Sequence, residues 1–265
     1  MNCPRACLMF LRIGAWSLLG ACSGPTFKSS DGTGAASADN SVPEDGLVLW
    51  LQADRGVTQD LRSVAIWANQ APNQGNAIQT DANARPVLVG SGIGGLPVVA
   101  FDGVDDFLKL PDGFGDFSQG LSMFAVVNWS TLPTCDAVME FSNGSEIDDI
   151  SFGQYQNQMS YEVFYDVQSE DNSLSTDVPQ LMTVLHRPDL TLELRRNSSL
   201  VASGSFDLPD NVVRQQNFVG QTLYSGCSTF SGQMGELLLF NRAVSDVELL
   251  KIEIYLRNRW SCCSN

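Results

Sequence analysis

Positively charged groups are scarce in this sequence. Thirty Asp and Glu face only 15 Lys and Arg and one His, so the formal net charge is −15. A chain this acidic repels phosphate backbones, which excludes nucleic-acid binding through a basic face. The single histidine, His186, limits histidine-based catalysis to one base and any metal site to one imidazole ligand.

Two catalytic or metal-binding motifs are also missing. There is no Cys-x-x-Cys pair, which argues against a zinc site. No Gly-x-Ser-x-Gly elbow accompanies His186, so a serine hydrolase is not expected. Hydrophobic residues nevertheless make up 43% of the chain, which is enough for one sizeable core. The composition therefore predicts a globular domain.

The N-terminal segment has the layout of a secretory signal peptide. Arg5 and Arg12 lie near its start, and the apolar stretch at 13–19 is too short to span a membrane. The segment ends in Leu-Gly-Ala-Cys at 19–22, which resembles the bacterial lipobox. In that motif the cysteine is acylated after cleavage, so we expect Cys22 to carry a lipid anchor that holds the protein at a membrane.

Cleavage before Cys22 divides the chain into three parts. Residues 1–21 are the predicted lipoprotein signal, although a plain cleavable signal is the alternative. Residues 22–45 are rich in Gly, Ser, Ala and Asp, which predicts a flexible tether, and 46–265 form the folded domain. Ser23, which follows the cysteine, is typical of bacterial lipoproteins sorted to the outer membrane. We expect an exported protein at the outer membrane or cell surface.

Four cysteines remain in the mature domain, and an even number in an exported chain favours disulfides. Four cysteines allow three pairings. We expect Cys135 to pair with Cys227, and the adjacent Cys262 and Cys263 to be closed on themselves or partly free.

Short apolar or alternating runs separated by turn residues follow one another from 47–51 to 234–240. This rhythm is typical of an all-β sandwich or jelly roll. One helix is expected near the end, because Ser245 and Glu248 form a capping box. Its predicted apolar face is centred on Val247, Leu250 and Ile254, with Leu249, Ile252 and Leu256 flanking it.

Two stretches carry a family resemblance. The first starts with GLVLWLQAD at 46–54, continues with VAIW at 64–67, Asn69 and Arg85-Pro86, and ends with PVVAFDGVDDFL at 97–108. The second is FSGQMGELLLFNRAVSDVE at 230–248, followed by Tyr255-Leu256 and Trp260. Together they resemble laminin-G-like jelly-roll domains of the concanavalin A-like lectin/glucanase superfamily. The resemblance implies two stacked antiparallel sheets. It leaves the function open, because the superfamily includes carbohydrate binders, adhesion modules, calcium-dependent recognition domains and glycoside hydrolases.

The strongest catalytic candidate is EIDDIS at 146–151. It is similar to the Glu-x-Asp-x-Glu strand of laminarinase-type hydrolases, in which two carboxylates on one strand face act on the glycosidic bond. Glu146 and Asp148 would match two of these positions, but Ile150 or Ser151 replaces the acid/base residue. We therefore favour the alternative of an acidic loop, and a chain that is not an enzyme.

Calcium is the one cofactor that the sequence suggests. Asp102, Asp105 and Asp106 offer the carboxylate oxygens that a hard cation prefers. The favoured alternative is a structural turn, in which Gly103 supplies the unusual backbone angles and Asp102 accepts hydrogen bonds from turn amides. Asp148, Asp149 and Asp166 form a second, vaguer acidic cluster.

Sugar recognition needs aromatic platforms beside amides and carboxylates. One group combines them, and Trp129 is a further neighbour; its members are Tyr155, Asn157, Tyr161, Glu162 and Tyr165. Tyr161 and Tyr165 are four residues apart, so one strand would present both on the same face. The alternative is that these aromatics fill the core.

The resulting hypothesis is a non-catalytic surface lipoprotein that recognises extracellular carbohydrate or a partner protein. The first alternative is a glycoside hydrolase or lyase of the same superfamily. The second is a structural envelope component without a ligand. The acidic composition favours neutral sugars or a basic partner over anionic glycans.

Overall fold

The computed structural model describes residues 41–72, 75–163, 165–169 and 174–263. The signal segment, Cys22 and most of the tether lie outside these residues. Regular structure in the described part is almost entirely β, with one α-helix near its C-terminal end, which confirms the predicted class. No helix within these residues has the length and apolarity needed to cross a membrane.

The strands, numbered in chain order, are β1 Leu47–Gln52, β2 Val57–Asp60, β3 Ser63–Trp67, β4 Ala77–Ile78, β5 Val87–Val89, β6 Val98–Asp102, β7 Leu108–Leu110, β8 Leu121–Trp129, β9 Cys135–Ser142, β10 Ile150–Tyr155, β11 Gln158–Val163, β12 Tyr165–Gln168, β13 Gln180–His186, β14 Thr191–Arg196, β15 Ser199–Ser205, β16 Gln216–Val219 and β17 Ser231–Phe240. The helix is α1, Asp246–Trp260, and short 3-10 helices cover Ala82–Ala84 and Ile93–Gly95.

Antiparallel pairing arranges these strands in two runs. The first run has the order β15, β14, β13, β8 and β17, and both β1 and β6 pair along the far edge of β17. The second has the order β12, β11, β10, β9, β16, β7 and β4. Strand β3 pairs with β2, β4 and β5, and β5 pairs with β6, so the two runs join in one continuous network.

The core lies between side chains of both runs. Strands β8, β13 and β17 are buried along nearly their whole length, because their second face is also covered. Helix α1 provides cover on that side: Thr183 of β13 donates a hydrogen bond to Glu253, and the Trp260 indole donates to Glu236 of β17. Trp67, Trp129 and Trp260 are fully buried, so Trp129 is a core residue.

Helix α1 begins as predicted and packs through a different face than predicted. The Ser245 hydroxyl accepts a hydrogen bond from the Glu248 amide, and Glu248 accepts one from the Ser245 amide, which confirms the capping box. Val247 and Leu250, the expected centre of the buried face, are 65% and 58% exposed. The buried residues are Leu249, Ile252, Glu253, Leu256 and Trp260. The helix buries a different face from the predicted one because Glu253, although polar, accepts hydrogen bonds from Thr183 and Arg195. Glu253 therefore lies on the buried side of the helix.

Both expected cysteine pairs are present. Cys135 at the start of β9 is bonded to Cys227, and the adjacent Cys262 and Cys263 are bonded to each other directly after α1. The first disulfide ties the segment between β16 and β17 to the second strand run.

Candidate functional site

A cleft lies where β9, β10 and β11 meet the segment between β16 and β17. It contains about 470 Å³ of empty space, part of it open to solvent. Its lining combines hydroxyls, carboxyl groups, an amide and two tyrosine rings, and includes no Lys or Arg; the residues are Cys135, Asp136, Ser151, Gly153, Gln154, Tyr155, Ser160, Glu162, Thr222, Tyr224 and Cys227.

Local strand geometry decides which side chains reach this cleft. Ser151 of β10 lies directly opposite Glu140 of β9 and Glu162 of β11, so all three share one sheet face. The β9 and β10 registers shift just before Gly153. A Cβ at Gly153 would lie only 2.1 Å from the Asp136 carbonyl oxygen, so the close approach of the two strands requires glycine there.

The Tyr224 hydroxyl joins Glu162, which lines the cleft, to Asp149, which lies beside it. It donates towards Asp149 Oδ2 at 3.0 Å and Glu162 Oε1 at 2.5 Å. Burial and these two acceptors raise the pKa of the Tyr224 hydroxyl, so it stays protonated. Because one hydroxyl carries one proton, the two carboxylates share a single donor here.

Glu140 adds a third carboxyl group beside this pair. It is only 1% exposed, and its Oε1 accepts hydrogen bonds from the Leu223 amide and the Ser142 hydroxyl. Its Oε2 has no hydrogen-bond partner within the described part of the chain. Burial raises the pKa of Glu140, and the charge of Asp149 acts in the same direction.

Asp136 lies at the inner end of the cleft. Its carboxylate accepts hydrogen bonds from the Trp129 indole at 3.2 Å and from the Gln154 amide at 3.3 Å. Burial outweighs these bonds and raises the pKa of Asp136 to about 7. The cleft therefore contains a carboxyl group that holds its proton more tightly than an ordinary aspartate does.

Two of the predicted sugar-binding residues line this cleft. Tyr155 is half-buried and lies opposite Cys135 in the ladder, so its ring is next to the Cys135–Cys227 disulfide. Glu162 faces the cleft from β11. Asn157 instead forms the β10–β11 turn, where Gln156 and Asn157 both have positive φ, as a two-residue hairpin turn requires.

Tyr161 is a core residue, which corrects its assignment to a ligand surface. It is 1% exposed, and strand alternation turns it inward while Glu162 points outward. Its hydroxyl lies 3.2 Å from His186 Nδ1, and His186 Nε2 lies 3.0 Å from the Phe206 carbonyl oxygen. Burial lowers the pKa of His186, so a neutral imidazole can donate to Phe206 and accept from Tyr161.

The prediction that Tyr161 and Tyr165 lie on the same strand is also wrong. The chain turns after Val163, and Tyr165 begins the next strand, where it pairs with Val163. The two tyrosines therefore lie on different strands. The Tyr165 side chain lies outside the described part of the structure.

Glu146 and Asp148 do not form a catalytic strand. Both have positive φ, 60° and 54°, in an exposed turn between β9 and β10. Asp148 accepts a hydrogen bond from the Asn143 amide, and its carbonyl oxygen accepts one from Arg214. The alternative of an acidic loop leading into β10 is thus correct, because the turn breaks the same-face spacing that two carboxylates on one strand need.

The Asp102–Asp106 segment forms the expected turn. Gly103 has φ 77°, and Asp102 Oδ1 accepts hydrogen bonds from the amides of Val104 and Asp105. The Asp106 carboxylate accepts one from the Asp102 amide. Carboxylate oxygens of Asp102, Asp105 and Asp106 also lie within 4.8 Å of one another, so calcium binding at this turn stays a prediction.

Sequence reasoning missed the most connected groups of the cleft. The sequence singles out neither Tyr224 nor Glu140, and it groups Asp149 with Asp148 and Asp166. Asp149 instead turns towards Tyr224. No local spacing signals this group, because Glu140, Asp149, Glu162 and Tyr224 come from four separate segments.

The fold belongs to a class that is shared with domains of carbohydrate-active proteins. No protein-family model matches this chain, and no curated protein does. Domain 4 of AbnA, a GH43 extracellular arabinanase from Geobacillus stearothermophilus solved with arabinotriose, matches with a TM-score of 0.59 at 14% identity, over 80% of this chain and 100% of that domain. A Trypanosoma rangeli sialidase solved with sialic acid matches with a TM-score of 0.54 at 15% identity, over 82% of this chain.

This chain spans only about a third of that sialidase, since the match covers 34% of it. At these identities the similarity concerns the fold alone.

Proposed function

We propose that this protein recognises carbohydrate, without cleaving it, in the cleft between Tyr155, Glu162 and Tyr224. The observation that carries the proposal is the combination of a half-buried aromatic ring and clustered hydrogen-bonding groups in one concave site. The fold similarity to an arabinanase domain solved with arabinotriose supports it.

The chemistry of the cleft suits a sugar. An aromatic face packs against the C–H face of a sugar ring, and Tyr155 offers such a ring at the mouth of the cleft. Carboxylates accept hydrogen bonds from sugar hydroxyls, and Glu162 together with Asp149 already binds the hydroxyl of Tyr224. A sugar hydroxyl could bind Glu162 in the same way.

The proposed architecture is a laminin-G-like jelly roll of the concanavalin A-like superfamily with two stacked sheets. The two strand runs support it, as does the contact between Tyr161 of one run and His186 of the other.

We further propose that Cys22 carries the lipid and that the protein is exported to the outer membrane or cell surface. Replacing Cys22 with Ser should release it from membranes and abolish fatty-acid labelling, whereas continued labelling would refute the anchor.

Binding can be tested with a glycan array followed by calorimetry on the purified protein. Tyr155→Ala should weaken binding by about 1–3 kcal/mol, the scale of an aromatic anchor, and leave the melting temperature nearly unchanged. Leu61→Ala, at a side chain that is 97% exposed, is the surface control and should bind normally. Absence of binding to every glycan, or full binding by Tyr155→Ala, would exclude this site.

One observation favours glycoside hydrolysis as a second candidate function. Asp149 and Glu162 both accept from the Tyr224 hydroxyl, so two carboxyl groups lie close together, and retaining glycosidases use a pair of carboxyl groups about 5–5.5 Å apart. Turnover of an oligosaccharide panel that is lost in both Asp149→Asn and Glu162→Gln would establish the enzyme. Binding without turnover is the outcome that we expect.

A further inference from the structure

The charged side chains that line the cleft are all acidic. From Leu110 to Leu185 the sequence contains no Lys, Arg or His, and this stretch includes β8 to β12 and most of the cleft lining. The part of the lining that comes from the segment between β16 and β17 is uncharged, namely Thr222, Tyr224 and Cys227. Arg214 interacts electrostatically with Asp149, but it is buried and donates its hydrogen bonds to backbone carbonyl groups.

A buried carboxylate oxygen lies beside this acidic surface. Glu140 and Glu162 flank Ser151 in one cross-strand row, and the buried Glu140 carboxyl group interacts with Thr222 of the cleft lining. Buried oxygens of this kind stabilise a nearby positive charge more strongly than exposed ones, because solvent screens them less. The row therefore attracts a cationic group that enters the cleft.

A compact metal ion fits this arrangement poorly. Across the described residues, only the turn at Asp102, Asp105 and Asp106 brings three possible metal ligands within 4.8 Å of one another. Glu140, Asp149 and Glu162 do not converge to that extent, and Tyr224 lies between two of them. A ligand ring with a positively charged hydrogen-bond donor attached to it suits the cleft better than a metal ion does.

We infer that the cleft prefers sugars with a free amino group, whose ammonium donates to Glu162 beside Asp149. This inference rests on the proposed carbohydrate recognition and specifies its ligand class. The neutral acetamido form of the same sugar loses the charge-assisted hydrogen bond, and anionic sugars are repelled. The Tyr155 ring contacts either form equally.

The test compares chitosan tetraose with the N-acetylated tetraose at about pH 6, where a typical amine is protonated. We expect the free-amine sugar to bind about tenfold more tightly at low salt, and this preference to shrink as ionic strength rises. Sialyllactose should bind more weakly than lactose. Calorimetry provides each dissociation constant.

Glu162→Gln should reduce the ratio of the two affinities at least about threefold, because only the free-amine sugar loses a charge-assisted hydrogen bond, while both sugars lose the carboxylate as an acceptor for their hydroxyls. The matched control is Glu146→Gln, an exposed acid in the same acidic stretch but outside the cleft, which should keep the full preference. Melting temperatures of both variants verify that they fold.

The two proposals fail in different ways. If both tetraoses bind equally well and binding depends on Tyr155, the amino-sugar preference is wrong and carbohydrate recognition stands. If no glycan of any charge binds, carbohydrate recognition itself is wrong. If Glu162→Gln prefers the free-amine sugar as strongly as the original protein does, the role proposed for the cleft carboxylates is wrong.

Discussion

The Glu236 carboxylate accepts a hydrogen bond from the Trp260 indole at 2.8 Å, which joins strand β17 to the last residue of helix α1. The same carboxylate accepts hydrogen bonds from the Trp50 indole of β1 at 2.6 Å and from the Tyr255 hydroxyl at 3.0 Å. Glu236 is fully buried and forms an ion pair with Arg259. One carboxylate thus connects the first strand, the last strand and the helix of the described domain.

Replacing Glu236 with Ala should cost about 3 kcal/mol of unfolding free energy, because the Trp50, Tyr255 and Trp260 donors lose this acceptor and Arg259 loses one of its two carboxylate partners. Urea denaturation measures this loss. Glu44→Ala, at an exposed acid, is the control and should change stability by less than about 0.5 kcal/mol. Equal stability of both variants would show that the Glu236 contacts are unimportant.

The Tyr161→Phe variant tests whether Tyr161 stabilises the core or binds a ligand. Loss of the hydroxyl leaves His186 Nδ1 without its donor, so we expect a loss of about 1–2 kcal/mol in unfolding free energy. Glycan affinity should stay within about twofold of the original protein, since Tyr161 is buried. A large loss of affinity without a loss of stability would return Tyr161 to the binding site.

The Cys135–Cys227 disulfide should stabilise both the fold and the cleft. The two cysteines are 92 residues apart, so replacing both with Ser should lower the unfolding free energy by about 2–4 kcal/mol and weaken glycan binding, because the Tyr224 segment loses its tie to β9. The matched control replaces Cys262 and Cys263, which are adjacent and close no long loop. An unchanged affinity in the first variant would mean that the segment keeps its position without the bond.

Asp136 should make stability depend on pH. Burial raises its pKa in the folded protein from near 3.8 to about 7, so the folded state holds this proton more tightly than the unfolded state does. Its contribution is fully present below about pH 4 and is lost as the pH rises towards 7. In Asp136→Asn, which keeps an acceptor for Trp129, unfolding free energy should fall less between pH 4 and 7. Identical pH profiles for the two proteins would contradict this assignment.

Several elements follow from local patterns. The strand rhythm predicts the all-β class, Ser245 and Glu248 predict the start of α1, and the even number of cysteines in the predicted mature domain favours disulfides, with Cys135–Cys227 the expected pair. Each of these signals depends on residues close in sequence or on a small number of possible pairings. The helix face was misjudged, because hydrophobicity alone did not indicate that Glu253 would bind Thr183 and Arg195 on the buried side.

The sequence by itself determined the strand class, the capped helix and an acidic chain with few cations, and it favoured disulfides without fixing their pairing. Only the tertiary structure decided the site, because it turns Tyr161 into the core, turns Glu162 outward, and brings Asp149 and Tyr224 together from positions 75 residues apart. Strand propensity, helix propensity and charge depend on residues that are close together in the sequence. A cleft, in contrast, depends on strand register and loop closure, which only long-range packing defines.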